Sequence, residues 1–250
     1  MSHPLLAVTD LVRHYGQVHA VDGFSLELGV GERHALIGCN GAGKSTVLHM
    51  IAGAVKPTSG RIRFGGVDIT GRTAHRRSRR GIARTFQTPA LLDTFTCLEN
   101  LTMAARPHHR EHRMFPVARR KYLTARAMGQ LEVLGLTDLA GLPAGELSHG
   151  RRRLLEIAVA LMGTPRLLLL DEPAAGLTDT DSAALVECLR SLPDDLTVLL
   201  VEHHQDVVTA IADTVTVLHE GRELAQGTPA EIAADPRVAE VYLGTVDESS

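Results

Sequence analysis

Residues Gly38-Cys39-Asn40-Gly41-Ala42-Gly43-Lys44-Ser45 follow the pattern G-x-x-x-x-G-K-[ST]. Glycines without Cβ let a loop wrap tightly round a polyanion and aim backbone N–H groups inward. Lys44 to Ile51 reads as a helix, and its N-terminus adds partial positive charge and free donors. Such a loop suits a nucleotide triphosphate. Lys44 would reach the outer phosphates, and the Ser45 hydroxyl would ligate Mg²⁺. Gly38, Asn40, Gly41, Ala42, Gly43 and Thr46 complete the expected phosphate contacts.

About one hundred residues further on, roughly one domain's length, stand two more elements. Leu167 to Leu170 is an uninterrupted apolar run, as expected of a parallel strand buried on both faces. It ends in Asp171-Glu172-Pro173. Ligands of parallel sheets lie beyond the carboxyl ends of the strands. Asp171 is thereby placed to hold Mg²⁺ through water, and Glu172 to polarise a water against the terminal phosphate. A pair that merely caps a strand end is the bland alternative. Before the run, Leu147-Ser148-His149-Gly150 opens a helix from Arg151 to Met162. That gives a second helix N-terminus suited to an anion.

Together these motifs resemble the ATP-binding-cassette (ABC) ATPases over nearly the whole chain. Gly38–Ser45 matches the Walker A loop and Leu167–Glu172 the Walker B strand. Leu147-Ser148-His149-Gly150 matches the L-S-G-G-Q signature. Gln87 sits where the family has its Q-loop glutamine, His203 at the switch histidine, and Tyr15 at the aromatic that stacks on adenine. The resemblance implies a P-loop NTPase (RecA-like) α/β core with an antiparallel β subdomain and an inserted α-helical subdomain. It implies ATP and Mg²⁺ as cofactors. It also implies a head-to-tail dimer, in which the Walker A loop of one subunit and Ser148 and Gly150 of the other hold each ATP. Gln87 would touch Mg²⁺ or the attacking water and link to the membrane partner. His203 would contact the γ-phosphate.

The chain departs from the family pattern in places. His149 replaces the first signature glycine and Arg151 the glutamine. The D-loop reads Ala175-Gly176-Leu177-Thr178 with Asp179 one place late, and His204 follows the switch histidine where Asp is common. A narrower resemblance rests on Gly81 to Gln87, Leu199 to His203, and the tail Gly227 to Ile232 with Asp235 to Val238. These resemble the ATPase of bacterial branched-chain amino-acid importers. A sister branch for urea or short amides shares much of the pattern. By this resemblance the partners are a second cassette (the same chain or a relative), permease subunits and, indirectly, an extracytoplasmic solute-binding protein.

The elements that must position these motifs read as a single cassette over 1–250. Its core spans 1–87 and 164–230, with a helical subdomain over 88–163 and a helical tail over 230–250. Apolar segments alternate with Gly turns up to Gly66, reading as strands. The pattern turns helical from Leu98 to Met162. After Asp171, helices (Asp181–Leu192, Gln205–Ala212) alternate with strands (Leu196–Val201, Val215–His219), which implies crossover connections in an α/β sheet. The run His75 to Arg80 reads as a solvated basic face, and Arg152 and Arg153 as the outer face of the signature helix. Pro107 to His112, with three imidazoles among arginines, reads as a solvated loop rather than a metal site.

A net charge of −3 gives no reason to expect nucleic-acid binding. No apolar run reaches the ~18 residues that span a membrane, and the N-terminus lacks signal-peptide regions. These features predict a cytoplasmic protein, held at the inner face of the membrane through its permeases. Cys39, Cys97 and Cys188 form an odd, scattered set that fits a reducing compartment. Cys39 lies inside the phosphate loop and raises the question of thiol-sensitive ATP binding. Two other classes share a phosphate loop. Soluble P-loop machines of translation or repair usually carry tandem cassettes or a long coiled coil. Small-molecule kinases need no second phosphate clamp of the Ser148 type.

Overall fold

The computed structural model describes residues 3–85, 91–105 and 116–244. The chain begins with the long strands β1 (Leu6–Tyr15) and β2 (Val18–Leu28), then β3 (Arg33–Ile37) and α1 (Lys44–Ala52). β4 (Ser59–Phe64), β5 (Val67–Asp68), α2 (Ala74–Ser78) and β6 (Ile82–Arg84) follow. Three helices come next, α3 (Cys97–Ala105), α4 (Pro116–Val133) and α5 (His149–Leu161). The rest alternates: β7 (Leu167–Asp171), α6 (Asp179–Arg190), β8 (Thr197–Val201), α7 (Gln205–Ile211) and β9 (Thr214–His219). β10 (Arg222–Gly227), α8 (Pro229–Ala234) and α9 (Pro236–Gly244) close it.

Two sheets result. One is antiparallel, in the order β2-β1-β4-β5; the other has the order β10-β9-β3-β8-β7-β6. Within the second, β9, β3, β8, β7 and β6 pair in parallel and β10 is antiparallel to β9. Every residue of β7 and β8 is buried. Their side chains divide by the two-residue period of a strand. Leu168, Leu170, Val198 and Leu200 join the helices α3 to α6 in one apolar cluster. Leu167, Leu169, Leu199 and Val201 join α1 and the antiparallel sheet in another. The parallel sheet is thus covered on both faces, which is why its strands read as continuous apolar runs. The carboxyl ends of β3 and β7, with β8 between them, carry the phosphate loop and the carboxylate pair.

The structure corrects the reading of the basic run. Arg76, Arg79 and Arg80 are exposed, but Arg77 is only 1 % exposed. Its guanidinium donates to the carbonyls of Met50 and Ile51 at the end of α1, and to those of Thr70 and Arg72. It acts as a side-chain cap at the C-terminal end of the helix that starts at Lys44, donating to the Ile51 carbonyl and adding a second donor to that of Met50, which also accepts from the Gly53 N–H. β6 and β10 were not anticipated. β6 is too short to show a period, and β10 (Arg-Glu-Leu-Ala-Gln-Gly) is largely polar. The His108, His109 and His112 run and Gln87 lie outside the described residues.

Candidate active site

The phosphate loop closes on its own lysine. Lys44 is buried, and its Nζ donates to the carbonyl oxygens of Gly38 at 2.6 Å and Cys39 at 2.9 Å. Burial pushes the ammonium below the ordinary lysine pKa, against the opposing charges of Glu172 and Asp171. Gly43 has φ 103° and lies so close to β2 that a Cβ there would run into the Ala20 carbonyl. Only glycine fits such a backbone conformation and approach. Asn40, Gly41, Gly43, Lys44, Ser45 and Thr46 line one cavity with Ala20 and Glu172. Sequence reasoning brought seven of these together. Ala20 it missed.

Asp171 is fully buried at the end of β7. Ser45 Oγ donates to its Oδ1 at 3.2 Å, Arg84 Nη2 to its Oδ2 at 3.3 Å, and His49 Nε2 stands 3.6 Å from Oδ2. Burial alone would raise its pKa. His49, Arg84 and Ser45 outweigh that and hold the carboxyl below the usual range. A hydroxyl and a carboxylate oxygen side by side are the hard donors Mg²⁺ prefers, so this pair fits the ion. His49 was legible in principle. It follows Ser45 at i+4 on α1, the spacing that puts two side chains on one helix face. Arg84 ends β6, whose existence the sequence did not reveal.

Glu172 is a rare non-glycine residue with positive φ, at 46°. Such a conformation costs about 1–3 kcal/mol and persists only where its surroundings enforce it. Its N–H donates to the Val201 carbonyl. Arg153, on α5, donates to the carbonyls of Asp171, Glu172 and Pro173 at 3.0, 2.8 and 3.1 Å. It also pairs with Glu156 at 2.8 Å. Arg153 therefore does not lie on an outer face, and Arg152 reaches Asp93 and the Ala144 carbonyl. The reason for the correction is that α5 packs its N-terminal half against the loop after β7. His149 Nε2 lies 3.4 Å from the Ala175 carbonyl. Gly150 comes so close to Asp181 that any side chain there would collide with it.

Ser148 is the N-cap of α5 and accepts from the N–H of Arg151. It does not line the phosphate-loop cavity. His203 is half exposed and lines a different, mainly apolar cavity bounded by α7, α8 and α9. Its placement comes from Glu202, a fully buried carboxylate that sequence reasoning passed over. Glu202 accepts from the N–H groups of His203 and His204 with one oxygen and of Ala174 with the other. It ties the loop after β7 to the loop after β8. Tyr15 is 45 % exposed at the β1–β2 turn, with the Arg13 guanidinium 4.3 Å from its ring centroid.

Cys39 is partly buried, its Sγ 3.8 Å from the Val241 carbonyl on α9. Cys97 and Cys188 are buried, and burial pushes their thiols up, that of Cys188 to about 12. The thiolate is the reactive form. Native protein is therefore expected to take one iodoacetamide adduct, at Cys39, and three after denaturation, read by intact mass. ATP should protect Cys39. If the alkylated protein binds ATP as before, the thiol is no more than a small residue at a tolerant loop position.

Residues 21–175 match the family model described as ABC transporter, and residues 222–248 match that of the branched-chain amino acid ATP-binding cassette transporter. The chain is 41 % identical to the high-affinity branched-chain amino acid transport ATP-binding protein BraF of Pseudomonas aeruginosa. The match covers 98 % of this chain and 99 % of that protein. It is 40 % identical to the corresponding LivG of Salmonella typhimurium, with the same coverage. Among solved structures, the ADP conformation of MJ1267, an ATP-binding cassette of an ABC transporter, superposes with a TM-score of 0.85 at 32 % identity. That likeness covers 97 % of this chain and 100 % of that one.

Proposed function

The chain belongs to the ABC transporter family of ATP-binding cassettes, and from that premise we propose that it is the ATP-hydrolysing subunit of a branched-chain amino-acid importer. The observation that carries the substrate class is the tail. Residues 222–248 match the model specific to the branched-chain cassettes, beyond the motifs that all cassettes share.

In this reading Tyr15 stacks on adenine, and Gly38, Asn40, Gly41, Ala42, Gly43, Lys44 and Thr46 hold the phosphates. Ser45, Asp171 and Gln87 hold Mg²⁺, which when bound neutralises charge on the β- and γ-phosphates. Glu172 accepts a hydrogen bond from the attacking water and draws off its proton as oxygen bonds to the γ-phosphorus and the β–γ bridge breaks. His203 orients that water from the γ-phosphate side. Ser148, which does not line its own chain's phosphate cavity, and Gly150 would by the family resemblance act on the nucleotide of a second cassette. The dimer would close on ATP and open after hydrolysis. Residues 88–163 and the loop at Gln87 would face the permeases and put the protein on the cytoplasmic face of the membrane. No helix among the described residues is long and apolar enough to cross one.

The test is reconstitution with permeases, a partner cassette and a solute-binding protein. ATP turnover should be low alone and rise when the binding protein is loaded with leucine, isoleucine or valine. Stimulation by urea or short amides, with none by those amino acids, would move the chain to the sister branch.

A further inference from the structure

His14, His19 and Asp22 form a cluster that none of the nucleotide chemistry uses. Their candidate donor atoms lie within 4.8 Å of one another. His14 and His19 are direct cross-strand partners in the β1–β2 hairpin, their rings stacked with centroids 3.9 Å apart. His19 and Asp22, three apart on one strand, would ordinarily face opposite sides. A register shift prevents this. Arg13 pairs with Val21 and His14 with His19, so Ala20 is the extra residue of a bulge. Bulges re-aim side chains in this way, and this one brings both residues to the His14 side.

A second observation points to a ligand. His14 Nε2 is buried and has no hydrogen-bond partner among the described residues. A buried ring nitrogen without a partner is costly unless something meets it. Asp22 accepts from Arg222 Nε and Nη2, at 3.1 and 2.6 Å, both on Oδ2. Oδ1 is not part of that pair, and an outer-shell hydrogen bond of this kind commonly orients a ligating carboxylate. The contrast with Glu202, His203 and His204, the other such group among the described residues, is instructive. There the carboxylate is consumed by three backbone N–H groups.

We propose that His14, His19 and Asp22 bind a divalent transition ion of the Zn²⁺ class at the back of the hairpin that carries Tyr15. Two imidazoles and one carboxylate with a fourth position open to water is a zinc-type donor set. Bonds of ~2.0–2.1 Å at tetrahedral angles need donors about 3.3 Å apart, which side-chain rotation from the present spacing supplies. Mg²⁺, which prefers oxygen donors, does not compete. The occupied site would fix the bulge at Ala20, which lines the phosphate cavity and whose carbonyl abuts Gly43. Metal occupancy would thereby bear on the nucleotide site from behind.

The experiment is titration of nucleotide-free full-length protein with ZnCl₂ against a chromophoric chelator, in millimolar Mg²⁺. It compares the parent with His19→Gln and Asp22→Asn, and CoCl₂ serves as a spectroscopic stand-in. Other histidines give all three proteins the same background. The parent should show one further equivalent, which each variant binds at least about tenfold more weakly, together with tetrahedral Co²⁺ absorption that the variants lose. His19 is exposed at a hairpin, so unchanged melting is expected and serves as the folding control. Equal stoichiometry and affinity in all three folded proteins, or no Co²⁺ spectrum in the parent, overturns the site. Because no nucleotide is present, the outcome is independent of the transport reading.

Discussion

Glu172→Gln is expected to bind ATP as the parent does and to turn over about 10²- to 10⁴-fold more slowly, the usual consequence of losing a general base. Gln keeps the size and the hydrogen-bonding reach of Glu but cannot take a proton. The backbone argument sharpens the expectation. The strained φ of 46° at residue 172 is held by Val201 and by Arg153, through main-chain atoms that the substitution does not touch. The side chain should therefore stay where it is, and the loss should fall on chemistry rather than folding or binding. A second consequence follows from the proposed dimer. If hydrolysis is what opens it, the variant should accumulate as an ATP-bound dimer by size exclusion, while the parent returns to monomer. Turnover within a few-fold of the parent would remove Glu172 from the role of base. A variant that neither dimerises nor hydrolyses would move the fault to assembly.

The predicted and observed sites differ in an instructive way. The phosphate loop and the β7 carboxylates were legible because their chemistry needs particular residue types at fixed spacing, and the flanking strand and helix have strong local patterns. Lys44, Ser45, Asp171 and Glu172 are brought together as expected. The residues that hold them in place were not legible. Arg153 and Glu202 act across elements far apart in sequence, on backbone carbonyls or N–H groups that carry no side-chain signature, and Arg84 reaches the Asp171 carboxylate from a strand that has no pattern of its own. The strands show the same division. β7 and β8, covered on both faces, advertise themselves as apolar runs. β6 and β10 owe their state to a neighbour's ladder, not to their own composition. The β1–β2 bulge belongs to this second class too, since only the pairing register reveals that His19 and Asp22 share a face.

Arg77 gives the largest expected effect on stability. Its guanidinium is sealed from solvent and supplies four carbonyls, two of them in the last turn of α1. Burial lowers its pKa to about 10, which leaves it charged at neutral pH. Met at this position would match the stem of the side chain and take the Arg77 donors from the carbonyls of Ile51, Thr70 and Arg72, while that of Met50 keeps the Gly53 N–H. Each buried, unsatisfied group costs about 1–3 kcal/mol. Relaxation and water entry recover part of that, so Arg77→Met should cost about 3–5 kcal/mol, in line with breaking other buried charged contacts. In a chain of this length that corresponds to a fall in Tm of roughly 10 °C. Arg76→Met, one residue away and exposed, should stay within about 0.5 kcal/mol of the parent. Arg77→Lys should fall between the two, because an ammonium keeps the charge but cannot fork toward carbonyls on two sides. The loss should also reach the nucleotide. α1 presents Lys44 and Ser45 at one end and is capped by Arg77 at the other, so a frayed last turn weakens the seat of the phosphate loop. ATP affinity in Arg77→Met is expected to fall in step with stability, and equal melting of the Arg76 and Arg77 variants would show that the cap carries no weight.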